Sequence, residues 1–89
     1  MNGQYLEVTF RNGRPLAAYL YLPRRMRDRS ARTRRVQPGL VVDLTTDGRA
    51  IGIEMTAPGR VTVTAVNRLL RELGCALLSR SDLSPLWAA

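Results

Sequence analysis

The stretch from Leu40 to Met55, LVVDLTTDGRAIGIEM, constrains the fold more than any other part of the chain. Asp-Gly between two alternating apolar runs is among the strongest short hairpin signals. Gly48 takes a positive φ at no steric cost, as such turns require. Leu40, Val42 and Leu44 share one face of the first strand, and Ile51, Ile53 and Met55 one face of the second. A two-residue loop sets Leu44 opposite Ile51 and Val42 opposite Ile53, and a four-residue loop keeps the same faces together. An unbulged three-residue loop would bring Asp43 beside Ile51, because a slip of one residue turns every side chain over. The expectation is therefore an even loop. The opposite face carries Val41, Asp43, Gly52 and Glu54. A carboxylate pair can serve as acid and base, but nothing else catalytic accompanies this one. Asp43 and Glu54 read as solvated charges or as partners for an arginine.

Ahead of this hairpin, Tyr5 to Phe10 alternates as a strand, with Leu6, Val8 and Phe10 on one face. Met1 to Gln4 is expected to be loose. Asn12-Gly13 suggests a two-residue turn, but that turn would pair Val8 with Ala17 and set Leu16, Leu20 and Leu22 beside Glu7 and Thr9. A five-residue loop, Arg11 to Pro15, pairs Phe10 with Leu16, Val8 with Ala18 and Leu6 with Leu20. It also leaves Pro15 outside the ladder, so it is the expected register. Leu16 to Leu22 is apolar on both faces, which predicts an interior strand whose second face, Tyr19 and Tyr21, is at least partly covered. Pro23 ends it. Ser30 to Val36 predicts a third strand with Val36 entering the core, and Pro38-Gly39 a turn.

Beyond the hairpin, Ala57-Pro58-Gly59 breaks the sheet. Thr62 has the character of a helix N-cap, and Gly74 that of a left-handed C-terminal stop. Between them Val63, Val66, Leu69, Leu70 and Leu73 form one apolar stripe, with Asn67, Arg68, Arg71 and Glu72 facing away. So short a helix does not persist alone, and its stripe is expected on the Leu44/Ile51/Ile53 face. The tail from Cys75 to Ala89 holds Leu77, Leu78, Leu83, Leu86 and Trp87, with Ser81 as the expected cap of one further turn. Such a tail needs a surface: the same sheet, its Tyr19/Tyr21 face, or a second subunit. The whole reads as one α+β domain over residues 1–89. It combines an antiparallel sheet of four or five strands in hairpin or meander order (about 5–55), an amphipathic helix (about 62–73) packed on one face, and a short apolar tail (75–89).

Composition limits the chemistry. Eighty-nine residues allow one domain with a modest core. There is no run of 18 apolar residues to span a membrane. The first residues lack a basic segment followed by an apolar one, so no signal peptide is expected and the cytoplasm is the default compartment. One cysteine and no histidine leave out the usual zinc sets, and Asp47-Gly48 lacks the spaced acids of a calcium loop. Ser79, Ser81, Ser84 and Cys75 have no histidine to act as base. GRAIGIE has neither the following helix nor the lysine of a phosphate loop. No catalytic, cofactor-binding or metal-binding residue is expected, and the chain reads as a non-enzyme.

All 14 basic residues are arginine, and their placement is uneven. Seven of them, Arg24, Arg25, Arg27, Arg29, Arg32, Arg34 and Arg35, lie in one segment with a single acid, Asp28, for a local net charge of +6. The other seven arginines and six acids leave only +1. The segment is either a solvated loop or a set of phosphate contacts whose binding would be strongly salt-dependent.

PGLVVDLTTDGRAIGIE resembles the bacterial domain of unknown function family 2283. The members run from a tyrosine-containing strand through a polar segment to a proline-led apolar strand, then D-x-D/N-G and G-I-E. Tyr19, Pro38, Asp43, Asp47, Gly48, Gly52, Ile53 and Glu54 stand at those places, and RVTVTAVNRLLRELG is similar to a helical extension that some members carry. The resemblance spans most of residues 5–74. It departs at Thr64, where members often have an acid, and in the more arginine-rich 24–35 segment. It implies a fold and no established activity. Members look like small accessory proteins, some apparently encoded beside toxin-like partners, which would suit an antitoxin-like role. The expected function is a non-catalytic interaction module that associates with a protein partner or with itself as a homodimer. Tyr19, Tyr21, Leu83, Leu86 and Trp87 are the candidate interface residues. The runner-up is a nucleic-acid-binding protein that uses the seven arginines, with Tyr19 and Tyr21 stacking on unpaired bases.

Overall fold

The computed structural model describes residues 3–88. It contains a five-stranded antiparallel sheet and helices, a mixed α+β architecture. The strands are β1 (Tyr5–Arg11), β2 (Arg14–Tyr21), β3 (Arg32–Gln37), β4 (Leu40–Leu44) and β5 (Ala50–Met55). A turn of 3-10 helix at Pro58–Arg60 leads into helix α1 (Val63–Glu72), and a one-turn helix α2 (Arg80–Leu83) runs into a second 3-10 turn at Ser84–Trp87. The strand order is β1-β2-β5-β4-β3; of the expected hairpin or meander order the hairpins β1–β2, β3–β4 and β4–β5 are present, but β2 and β3 are not neighbours. The arginine-rich connection carries the chain from β2 to the far edge, and β3, β4 and β5 then return hairpin by hairpin until β5 meets β2, a Greek-key path. The reason lies in the side chains. β2, β4 and β5 are the strands with the most apolar surface and take the centre, while β3, RTRRVQ, is exposed along nearly its whole length and takes an edge.

All three hairpins use the same local device. In β1–β2 the Asn12-Gly13 turn does form, with φ of 52° and 76° at its two residues. Arg11 pairs with Arg14 and Phe10 with Pro15, but Thr9 pairs with Ala17. Leu16 is thus an extra residue in β2, and beyond it Val8 meets Ala18 and Leu6 meets Leu20. The expected core register is present, but a two-residue turn plus a bulge produces it in place of a five-residue loop. Phe10 and Leu16 are consequently not a buried pair; both are about half exposed at the hairpin tip.

In β4–β5 the Thr45 N–H donates to the Arg49 carbonyl at 2.8 Å and the Gly48 N–H to the Thr45 carbonyl at 3.0 Å, with Gly48 at φ 88°. This closes a three-residue loop with glycine in the left-handed position, an odd loop where an even one was expected. Leu44 then pairs with Ala50, and Ile51 is the extra residue that restores Asp43 to Gly52 and Val42 to Ile53. In β3–β4, Pro38-Gly39 turns as expected, and Val36 is the extra residue between Arg35–Val41 and Gln37–Leu40. Val36 therefore stays exposed and does not enter the core. A bulge adds one residue to one strand and leaves the partner unchanged, so each tight turn coexists with matched faces.

Leu20, Leu22, Leu40, Val42, Ile53 and Met55 are buried in one apolar cluster with Val66, Leu69 and Leu70 of α1. Ile51 is buried as well, and Leu44 partly so. Thr62 caps α1 as expected, its hydroxyl accepting from the Ala65 N–H at 3.1 Å. At the other end Gly74, at φ 71°, lets the Cys75 N–H reach the Leu70 carbonyl at 2.8 Å and its own N–H reach the Arg71 carbonyl at 3.2 Å. That pair of bonds is a Schellman stop.

The tail joins the same cluster through Leu78, Leu83 and Leu86. Ser79, not Ser81, caps α2, in a reciprocal box with Asp82. Asn67 does not face away from the protein. Its side chain is half-buried and both donates to the Leu78 carbonyl (2.8 Å) and accepts from the Leu78 N–H (2.9 Å). Trp87 donates its indole N–H to the Val61 carbonyl at 2.9 Å. Of the lead expected to be loose, Gln4 is buried and donates to the Ala76 carbonyl at 3.1 Å. Met1, Asn2 and Ala89 lie outside the described residues.

Candidate functional site

Most residues singled out in the sequence lie on the sheet face opposite the core or on the arginine segment, which passes the β4–β5 turn before it enters β3. On the open face Tyr19, from β2, reaches across β5 to β4. Its hydroxyl donates to Asp43 Oδ2 at 2.7 Å. The ring end passes directly over Gly52, where any Cβ would overlap the phenol. Glycine inside a strand often marks such a close approach, and that was the signal in the sequence for this contact. Asp43 is thus the acceptor for a tyrosine and not the partner of an arginine, while Glu54 is exposed. Burial and the neighbouring carboxylate push the Tyr19 phenol up to about 12, with burial the larger cause.

Tyr21 stands edge-on to Tyr19 at 4.7 Å between centroids and lies 5.7 Å from Tyr5. The Arg24 guanidinium sits 5.2 Å over the Tyr21 ring and donates to the Ile51 carbonyl at 2.6 Å. The Ile51 bulge turns that carbonyl toward the end of β2, since the Leu22 N–H also donates to it at 3.1 Å. The second face of β2 is therefore covered by its own aromatic neighbours and Arg24, and the tail lies elsewhere.

The arginine segment is fastened at three points. Leu22 bonds to Ile51 at one end, and the Ala31 N–H donates to the Leu44 carbonyl at 2.8 Å at the other. Midway, Asp28 accepts from Arg49 Nη2 at 2.7 Å and Nη1 at 2.9 Å, a bidentate pair that ties the segment to the β4–β5 turn. Asp28 also accepts from the Arg25 N–H at 2.8 Å. The Arg49 guanidinium, then the Arg25 N–H, hold the Asp28 carboxyl down at about 2. Asp47 accepts from Thr45 and from Arg49, which lowers its pKa as well.

The one acid of the segment is thus committed to an arginine outside it. Among the described residues none of the seven segment arginines forms an ion pair with a carboxylate. All seven are exposed. Arg24 differs from the other six because it is bound back onto its own sheet. On β3, Arg35 shares the face of Val41 and Asp43, whereas Arg32 and Arg34 pair with Leu44 and Val42 and project to the other side.

The candidate interface changes accordingly. Leu83 and Leu86, expected at an interface, are fully buried in the core of the chain and offer no surface to a partner. Trp87 is half-buried beneath the Arg80 guanidinium, 5.0 Å away, with its N–H engaged. Among the described residues the exposed large apolar side chains include Tyr5, Phe10, Leu16 and Met26, none of them among the residues first proposed. Cys75 is partly buried, and burial raises its pKa. Among the described residues no helix is long and apolar enough to cross a membrane, and no three histidine, cysteine or acidic side chains come together as metal ligands. Set against protein-family models, curated proteins and solved structures, the chain matches none of them.

Proposed function

We propose that the protein is a non-catalytic binding module that engages a polyanion along its arginine-bearing edge, with nucleic acid as the partner. One observation carries this: six exposed guanidiniums without a carboxylate, on a segment that the Asp28–Arg49 pair and two backbone bonds already hold in place. Six free charges on a prepared segment gain counterion release on meeting phosphates and lose less conformational freedom than a floppy loop. The reading also takes α1 and the tail as the cover of one sheet face. Burial of Val66, Leu70, Leu83 and Leu86 in the cluster of Val42 and Ile53 supports that. The β3 edge and the exposed arginines leading into it are then left to a partner.

Fluorescence anisotropy with single- and double-stranded oligonucleotides at two salt concentrations tests it. Micromolar binding that weakens steeply with salt is expected, and Arg25/Arg27/Arg29→Ala should flatten the salt slope by about 2 to 3. Binding left unchanged both by this variant and by Arg32/Arg34/Arg35→Ala rules the arginine segment out. A second reading, association with its own kind, is favoured by a different surface: Tyr5, Phe10 and Leu16 are 58%, 49% and 52% exposed at the opposite edge and its hairpin tip.

A further inference from the structure

The two edges of the sheet are unlike. β3 is guarded by Arg32, Arg34 and Arg35 and by its bulge at Val36, features that discourage another strand from pairing there. β1 has none of these. Among the described residues its only strand neighbour is β2, so its outer N–H and C=O groups are left without a ladder. It contains no proline, the bulge of its hairpin lies in β2, and Glu7 is the only charge before its last residue, Arg11. Leu6 and Val8 point to the core side yet are only partly buried, and among the described residues no strand flanks them beyond the edge.

Resting on the self-association reading, we propose that β1 pairs antiparallel with β1 of a second copy, with Thr9 on the two-fold axis, to join two sheets into one of ten strands. The sequence of the edge is self-complementary in that register. Glu7 falls opposite the partner's Arg11, Val8 opposite the partner's Phe10, and Thr9 opposite the partner's Thr9. Opposite charges, an aromatic with a β-branched residue, and two threonines are each favourable cross-strand pairs. The two-fold axis makes every one of them but the central pair occur twice. Centring the axis on Val8 sets Glu7 against Thr9 and leaves the charges unmatched. Centring it on Glu7 opposes two carboxylates. The chosen register gives Phe10 a neighbour on the core side and uses the charges at both ends of the paired stretch. It leaves the arginine edges at the two outer limits of the joined sheet.

Sedimentation equilibrium of the full chain, with circular dichroism as the check on folding, tests both levels. A dimer is expected, with Glu7→Arg and Arg11→Glu each shifting it to monomer and the double variant E7R/R11E restoring it. Register is read by oxidation in a Cys75→Ser background. Thr9→Cys on the axis brings two Cα atoms within disulfide range and should give a covalent dimer, while Glu7→Cys should not. A wild-type chain that stays monomeric to about 100 μM overturns self-association and the edge pairing together. A dimer that ignores both single charge reversals and does not crosslink through Thr9→Cys leaves self-association standing and overturns this edge.

Discussion

Gly52 organises the open face by the side chain it lacks. The Tyr19 ring occupies the space a Cβ would fill, and that position lets its hydroxyl reach Asp43. Gly52→Ala should drive the phenol off the sheet and break that bond, at a cost of about 1 kcal/mol in urea denaturation. In a Tyr19→Ala background the same substitution should be neutral or mildly stabilising, because alanine then meets no ring and glycine is a poor strand residue. The pH dependence follows from the same contact. A phenol whose folded pKa is about 12 favours the folded state below the ordinary tyrosine range near 10, and that contribution disappears as pH rises through about 12. Titration followed at 295 nm, the tyrosinate band, should show one of the three tyrosines ionising near 12. Gly52→Ala should return it close to 10, and Asp43→Asn only part of the way, because burial remains. This contact was half legible in the sequence. An isolated glycine facing a row of polar residues signals close approach, but nothing in the alternation says which side chain approaches. Three strands must be in register before Tyr19 and Asp43 are neighbours.

The hairpins show where reading by alternation succeeds and where it stops. Face assignments survive because they depend on a period of two and on the need to bury one side. Loop lengths do not, because an even loop and an odd loop with one bulge satisfy the same faces. The glycine turns at Asn12-Gly13 and Asp47-Gly48 are both visible in the sequence, and alternation argues against the first only because its unbulged register mismatches the faces. The three extra residues differ in what their side chains do. Leu16 and Val36 are exposed, whereas Ile51 is buried and its carbonyl receives both Leu22 and Arg24. Deleting Leu16 or Val36 should leave an unbulged hairpin with its faces unchanged and alter the thermal midpoint by only a few degrees, the scale of about 1 kcal/mol in a domain of this size. Deleting Ile51 should cost at least the 2–5 kcal/mol of a large core truncation. Thermal melts of the three deletion variants would separate these outcomes, and equal losses would show that the bulges, not their side chains, carry the stability.

At the scale of the molecule, the tail contributes Leu78, Leu83 and Leu86 to the core. Leu83 and Leu86 are fully buried, and Asn67 and Trp87 hold the tail to α1 and to the segment before it. Removing residues 79–89 should uncover the cluster around Leu20 and Val66, take away at least about 3–6 kcal/mol of burial from two leucines, and leave a chain that loses its cooperative melt. A truncated chain that still melts cooperatively would show the tail to be peripheral. The need for cover was plain from five large apolar side chains in fifteen residues, but its location was not. Apolar side chains carry no address, and the addresses here are polar: an Asn67 amide that bonds both backbone groups of Leu78, and an indole N–H aimed at Val61. The same holds for the arginine segment, whose charge was evident from the sequence while its anchoring depends on Asp28 meeting Arg49 across the fold.

The exposed one-residue offsets at Leu16 and Val36 reach further than their own hairpins. Because the phase of the strand is reset between turn and interior, tips and core can change independently. A tip that gains or loses a residue over generations, or receives a grafted peptide, passes its error to the bulge and not to the packing below. The chain can therefore vary its protruding ends while keeping the same interior.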